Sequence, residues 1–84
     1  MRLTIYSKPG CHLCDEMKAL VRRIIAQRSS DHAIALEEID ISSDSALLDR
    51  YGLEIPVLLI DGKKVAKYRV SETELTQMVE ARKG

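Results

Sequence analysis

The sequence predicts an α/β fold, with a four-stranded mixed sheet that carries helices on both faces. Strand-like and helix-like segments alternate in the order β-α-β-α-β-β-α, and an Asp-Gly pair joins the last two strands. The first β-α-β unit requires a right-handed crossover between two parallel strands. With 84 residues, the chain has room for one small hydrophobic core. We therefore expect a single domain over residues 1–84.

The first two elements are a strand and an amphipathic helix. Leu3–Tyr6 is rich in β-branched and aromatic residues, which are typical of strands. Ser7–Gly10 ends this strand, because Pro and Gly are strong turn formers. Apolar residues then recur at helical spacing, at Leu13, Met17, Leu20, Val21, Ile24 and Ile25. This spacing predicts a helix of about four turns that ends near Arg28, before a polar connector, Ser29–His32.

A second strand and a short helix follow. Ile34–Ile39 has strand-like composition, although two glutamates interrupt its alternation. Ser42 or Ser43 is placed to cap a helix that runs through Tyr51. Gly52 stands where helices often end in a left-handed residue.

The last third of the chain predicts a hairpin and a final helix. Pro56–Ile60 and Lys63–Tyr68 are strand-like, and the Asp61-Gly62 pair between them favours a type I′ turn. Ser71–Glu74 has the pattern of a helix capping box. The apolar face of the helix that follows contains Leu75, Met78 and Val79.

The charge balance limits the partners. The chain has 13 Lys and Arg against 13 Asp and Glu, which argues against general nucleic-acid binding. Its longest uncharged apolar run, Ile55–Ile60, is far shorter than the roughly 20 residues that cross a bilayer. No secretory signal pattern is evident at the start. We expect a cytoplasmic monomer that binds neither nucleic acid nor membranes.

The two cysteines, Cys11 and Cys14, lie where the first strand gives way to the first helix. Two cysteines are too few for the frameworks of small secreted proteins, and such a short loop gains little stability from a disulfide. A thiol at a helix N-terminus faces unpaired N–H groups and the positive end of the helix dipole, which favour the thiolate. Lys8 and His12 are positioned to add positive charge. We expect Cys11 to be the exposed nucleophile and Cys14 the buried resolving thiol.

Other interpretations of these residues stay open from the sequence alone. A Cys-x-x-Cys pair is often half of a zinc site, but such a site needs four ligands and no second pair is present, so we expect no metal. The cysteines can also be incidental. His12 is equally compatible with a solvent-exposed residue of no consequence, and Lys8 with a solvated loop charge.

Tyr6–Cys14, with the sequence Tyr-Ser-Lys-Pro-Gly-Cys-His-Leu-Cys, resembles the active-site segment of the glutaredoxins. The resemblance covers essentially the whole chain in element order and implies a thioredoxin-like fold. Ile55-Pro56 matches the segment that contains the family's cis-proline. The Cys-His-Leu-Cys variant is similar to a branch of small glutaredoxin-like proteins.

The resemblance also implies a binding groove for glutathione or another substrate. Its residues are Lys8, Leu13, Ile55, Pro56, Arg69, Val70, Ser71 and Glu72. Lys8 matches the lysine that holds a glutathione carboxylate, and Ile55 matches the residue whose backbone pairs with the tripeptide. Lys8, His12 and Pro56 are the residues expected to tune activity. Two departures are visible: the family's glycines are missing before the last helix, and His12-Leu13 replaces Pro-Tyr between the cysteines.

The expected function is a thiol–disulfide oxidoreductase that reduces protein or glutathione mixed disulfides and contributes to redox homeostasis and electron transport. It would need no tightly bound cofactor, with glutathione as a co-substrate and a thiol reductase as a recycling partner. The alternative is a binding role. In that case the chain bridges an iron–sulfur cluster as a dimer, through Cys11 thiolates and glutathione, or acts as a redox-inactive thioredoxin-fold adaptor.

Overall fold

The computed structural model describes residues 1–28 and 34–81, and its elements follow the predicted order. The strands are Arg2–Ser7 (β1), Ala35–Asp40 (β2), Val57–Ile60 (β3) and Lys63–Lys67 (β4). The helices are His12–Arg28 (α1), Ser45–Tyr51 (α2) and Glu72–Ala81 (α3), and a 3-10 turn, Ile41–Ser43, precedes α2. The predicted α/β class with a four-stranded mixed sheet is confirmed. The connector Ser29–His32 lies outside the described residues.

β1 lies in the interior of the sheet, whose strand order is β2-β1-β3-β4. It runs parallel to β2, with Leu3 opposite Leu36. It runs antiparallel to β3, with Tyr6 opposite Val57. The carboxyl end of β1 and the amino end of β3 therefore lie side by side. This register places the loop that follows β1 next to the residues that precede β3.

The sheet separates two apolar clusters. The cluster on the face covered by α1 and α3 contains Leu3, Ile5, Met17, Val21, Ile24, Leu58, Ile60, Leu75 and Val79. The cluster on the α2 face contains Ile41, Tyr51, Val57 and Leu59. Successive side chains of a strand point to opposite faces of its sheet, so both faces of β3 are buried and its sequence is uninterrupted by polar residues.

The short helix α2 ends at Tyr51 as predicted, but its two cap residues differ from the prediction. Ser42 and Ser43 do not cap it and lie instead in the 3-10 turn. Asp44 is the N-cap, and its carboxylate accepts the Leu47 N–H at 3.1 Å. Gly52 has φ −56°, in the right-handed region, so the predicted left-handed residue is wrong. Glycine is needed there for another reason, since a Cβ would overlap the carbonyl oxygen of Leu48.

The hairpin and the last helix form as predicted. Asp61 and Gly62 have φ values of 48° and 86°, as a type I′ turn requires. In the capping box before α3, the Ser71 hydroxyl accepts the Glu74 N–H at 3.0 Å. The Glu74 carboxylate accepts the Ser71 N–H at 3.1 Å in return. Both features depend on neighbours within a few residues, which explains why the sequence reveals them.

Candidate active site

Cys11 occupies the N-cap position of α1. After β1, Gly10 turns the chain with φ 78°, a value that few residues other than glycine adopt. The Cys11 carbonyl accepts the Asp15 N–H at 3.1 Å, which is the first bond of the helix. The Cys11 Sγ accepts the Cys14 N–H, also at 3.1 Å. The sulfur therefore stands where a serine or aspartate oxygen caps other helices.

Cys11 and Cys14 are joined by a disulfide, and they differ in exposure. Their Cα atoms are 5.2 Å apart, within the usual range of about 4.4–6.8 Å for a disulfide. Cys11 is partly exposed, whereas Cys14 has an exposed fraction of 0%. One turn of helix thus places one sulfur at the surface and the other inside the protein. This matches the expected placement of an accessible and a protected thiol.

The Ile55-Pro56 peptide bond is cis, as the resemblance implies. Pro56 is fully buried and Ile55 packs against the α2-face cluster. Because Val57 pairs with Tyr6 in the sheet, Pro56 lies level with the end of β1. The cis bond therefore lies at the same end of the sheet as the loop that leads to Cys11.

Lys8 and His12 flank Cys11 in different surroundings. Lys8 is half-buried in the loop after β1, and His12 is an exposed residue that begins α1. Neither side chain forms a hydrogen bond or an ion pair with any residue that the structure describes. Their tuning of Cys11 stays a prediction.

A cavity of about 300 Å³ lies between α1 and the segment that joins β4 to α3. Its lining consists of Leu13, Glu16, Met17, Leu20, Arg23, Tyr68, Arg69 and Val70. Three residues predicted for the groove, Leu13, Arg69 and Val70, meet here. The other predicted groove residues are not part of this lining, namely Lys8, Ile55, Pro56, Ser71 and Glu72.

The start of α3 is occupied by contacts within the protein. The hydroxyl of Ser71 accepts the Glu74 N–H of the capping box. The carboxylate of Glu72 accepts a hydrogen bond from Arg23 of α1 at 2.7 Å. A ligand that used these groups would have to displace an existing partner.

A family model described as Glutaredoxin-like domain (DUF836) matches residues 2–80. This chain belongs to the glutaredoxin-like family. The glutaredoxin-like protein YDR286C homolog from Dictyostelium discoideum is 27% identical over an alignment of 77 residues, and the match covers 89% of this chain and 71% of that protein. The resemblance stated from the active-site segment is confirmed.

Solved structures agree with this assignment. The X-ray structure of protein XcR50 from X. campestris has a TM-score of 0.70 at 30% identity, and the match covers 94% of this chain and 96% of that chain. The thioredoxin Deadhead from Drosophila melanogaster has a TM-score of 0.62 at 24% identity, over 96% of this chain and 79% of its own. The glutaredoxin-like chain therefore has a thioredoxin-like fold.

Tyr68 has a structural role in the glutaredoxin-like chain that the sequence does not reveal. It follows β4 with φ 66°, in the left-handed region that residues with a Cβ seldom adopt. Its N–H donates to the Pro56 carbonyl at 2.9 Å, and its hydroxyl donates to the Leu53 carbonyl at 3.1 Å. Tyr68 thus ties the cavity wall to the loop that carries the cis bond. No local signal reveals these bonds, because Leu53 lies 15 residues earlier.

The same loop is held from the β4 side by an ion pair. Lys64 Nζ donates to Glu54 Oε1 at 2.7 Å. This hydrogen bond lowers the pKa of the Glu54 carboxyl against an opposing effect of burial, and the charges of Lys64, Lys67 and Arg50 act in the same downward direction. Glu54 is therefore the acidic member of a largely basic group.

The described part of the chain contains neither a cluster of metal-ligating side chains nor a helix suited to span a membrane. Within residues 1–28 and 34–81, no group of three or more His, Cys, Asp or Glu side chains is arranged to hold a metal ion. Over those same two ranges, no helix combines the length and the apolar character that crossing a membrane requires.

Proposed function

We propose that this protein is a thiol–disulfide oxidoreductase in which Cys11 attacks and Cys14 resolves. The observation that carries the proposal is the disulfide at the N-cap of α1, with Cys11 partly exposed and Cys14 fully buried. A substrate sulfur has access to Cys11 but not to Cys14. The order of attack follows from this difference in access.

The reaction proceeds by two exchanges. The Cys11 thiolate attacks one sulfur of a substrate disulfide R–S–S–R′, so that a Cys11–S–S–R bond forms and R′–S⁻ leaves. Cys14 then loses its proton and attacks the Cys11 Sγ, and R–S⁻ leaves. The substrate gains two electrons, both released thiolates can take up protons, and the protein becomes the Cys11–Cys14 disulfide. Two thiol groups of an external reductant return the two electrons and two protons.

The N-cap geometry supports Cys11 as the nucleophile. The Cys14 N–H already points at the Cys11 Sγ, and in the reduced protein the same N–H would stabilise a thiolate. The positive end of α1 acts in the same direction, and we assign Lys8 and His12 a supporting electrostatic role.

The reductant we propose is glutathione or a thiol reductase, with no resident cofactor. We assign the binding of this reductant or of the substrate to two groups of residues. The first lines the cavity and consists of Leu13, Arg69 and Val70. The second belongs to the loops after β1 and before β3 and consists of Lys8, Ile55 and Pro56. We further propose that the protein works in the cytoplasm, because thiols are kept reduced in that compartment. We also propose that it works as a monomer without nucleic-acid or membrane partners.

A disulfide reduction assay tests the function. Wild type, Cys11→Ser and Cys14→Ser are compared in a glutathione-coupled assay and in a thioredoxin-reductase-coupled one. Cys11→Ser should lose all turnover, whereas Cys14→Ser should trap mixed disulfides that mass spectrometry detects, or retain a monothiol reaction with glutathione. The two variants are matched controls, since they carry the same substitution three residues apart. Full turnover by Cys11→Ser, or a wild type inactive in both assays, would refute the proposal.

A further inference from the structure

Leu53 and Tyr68 form an exposed apolar patch beside the active-site loop. They are the two large hydrophobic residues exposed in the described part of the chain, with exposed fractions of 93% and 43%. They are also neighbours, because the Tyr68 hydroxyl donates to the Leu53 carbonyl at 3.1 Å. We call them the Leu53–Tyr68 patch.

The patch is held in place by bonds on both sides of Leu53. The Glu54 N–H donates to the Tyr51 carbonyl at 2.8 Å, and the Glu54 carboxylate binds Lys64. The Tyr68 N–H donates to the carbonyl of Pro56. An almost fully exposed leucine therefore lies on an anchored segment, which presents it to solvent in a defined position.

Basic residues lie close in sequence to both members of this patch, although the whole chain has a formal net charge of zero. The Lys67 ammonium lies 5.5 Å from the centroid of the Tyr68 ring, and Arg69 is the next residue along. Arg50 lies 5.2 Å from the ring of Tyr51, at the end of α2, and acts electrostatically on Glu54. Lys64 is paired with Glu54, and the charges of Arg50 and Lys67 also act on Glu54, but Arg50, Lys67 and Arg69 form no salt bridge with any of residues 1–28 and 34–81.

We propose that the Leu53–Tyr68 patch is a docking surface for an acidic protein substrate. An apolar side chain of the substrate packs on Leu53 and Tyr68, and carboxylates beside it meet Arg50, Lys67 and Arg69. The inference rests on the proposed function, because the patch adjoins the cis-proline loop and would bring a substrate disulfide to Cys11. An exposed leucine contributes nothing to a nucleic-acid backbone, so the combination of apolar and basic groups favours a protein.

Two synthetic peptides test the surface. Each peptide has the central sequence Leu-Cys and is used as a dimer joined by a disulfide between its cysteines. Glutamates flank this centre in the acidic peptide, and lysines flank it in the basic peptide. The wild type should reduce the acidic peptide with a kcat/KM roughly tenfold higher, since complementary charge speeds encounter by at least about that factor. Added salt should remove the preference, because it screens exposed charges.

Charge-reversed variants provide the matched comparison. The double variant Arg50→Glu, Lys67→Glu should lose or invert the preference for the acidic peptide. The double variant Arg2→Glu, Lys63→Glu makes the same change in net charge at the opposite end of the sheet, on exposed residues, and should keep the preference. Measurable and equal reduction of the two peptides by wild type, or equal effects of the two double variants on a measurable preference, would overturn the proposal.

A binding measurement separates this proposal from the proposed function. The acidic and basic peptides are prepared with serine in place of cysteine and titrated into the protein, followed by NMR. Shifts centred on Leu53 and Tyr68 with the acidic peptide alone would support the surface, even if the wild type reduced neither disulfide. No shifts there, or displacement of the acidic peptide by a short oligonucleotide that binds the patch more tightly, would overturn it.

Discussion

Cys11 owes its place at the site to the backbone around it. Gly10 turns the chain, and the first helical bond fixes the Cys11 carbonyl against Asp15. The sulfur then meets the Cys14 N–H. These are short-range contacts, so the helix end can act on a Cys11 thiolate without any help from the net charge of the chain.

Asp40 gives a residue-scale prediction with a defined pH dependence. Its carboxylate accepts the Ser42 hydroxyl at 2.6 Å and the Ser42 N–H at 2.9 Å, and these bonds lower the pKa of Asp40. Because the pKa is lower in the folded protein, the stabilisation is present above the usual carboxyl pKa of about 3.9. It is lost as the pH falls through the lowered folded-state value. Asp40→Asn should therefore be less stable than wild type at pH 7, and the difference should shrink in strong acid.

Urea unfolding of both proteins across this pH range measures the effect. Ser42→Ala removes the hydroxyl donor and should show a smaller change in the same direction. A stability difference between wild type and Asp40→Asn that stays constant from neutral pH to strong acid would contradict the role assigned to this carboxylate.

At the residue scale, the sequence predicts the groups whose chemistry is local. The Cys11–Cys14 pair is recognisable because a short motif lies between a strand and a helix. The cap of α2 is not, since Ser42, Ser43 and Asp44 are all good capping residues. The choice of Asp44 depends on the 3-10 turn, in which Asp40 fixes Ser42. That turn has no clear pattern of its own in the sequence.

The capping box of α3 gives the prediction at the scale of an element. Ser71→Ala removes the acceptor of the Glu74 N–H and should cost about 1 kcal/mol. In a domain of this size, such a loss lowers the melting temperature by roughly 4–8 °C. Thr73→Ala changes an exposed residue in the same turn that is outside the box, so its melting temperature should be close to that of wild type. Equal melting temperatures for Ser71→Ala and Thr73→Ala would argue against the box as a source of stability.

At the element scale, the turn of the hairpin and the capping box were predictable because their partners are near in sequence. The conformation of Gly52, which follows α2, was not, because the contact with the Leu48 carbonyl, and not a left-handed φ, requires glycine there. The sequence also predicts Tyr68 as the last residue of a strand, whereas β4 ends at Lys67. The bonds of Tyr68 to Pro56 and Leu53 join segments that only the folded sheet brings together.

At the scale of the molecule, net charge hides an uneven distribution. The formal sum is zero, yet Arg50, Lys67 and Arg69 lie near the Leu53–Tyr68 patch and form no salt bridge within the part of the chain that the structure describes. The sum therefore argues only against attraction by the protein as a whole. A partner that contacts the Leu53–Tyr68 patch meets a positive local potential. This potential extends over a Debye length, which is roughly 8–10 Å at physiological salt.

Two leucines five residues apart separate stability from docking. Leu58 is fully buried in the α1–α3 cluster, whereas Leu53 is 93% exposed. Leu58→Ala should cost about 2–5 kcal/mol through lost burial and a residual cavity, a large share of the roughly 5–15 kcal/mol that stabilises a typical protein. Leu53→Ala should change the unfolding free energy by no more than about 0.5 kcal/mol.

Urea unfolding compares the unfolding midpoints of the two variants, provided that their m-values are equal. The peptide assay compares their kcat/KM values under conditions in which both variants are folded. Leu53→Ala should reduce kcat/KM for the acidic peptide while leaving the unfolding midpoint close to that of wild type. Leu58→Ala should shift the midpoint strongly and leave the charge preference of its folded fraction intact. If Leu53→Ala unfolded at a clearly lower urea concentration than wild type, the Leu53 side chain would stabilise the fold. Its exposure would then no longer indicate a partner.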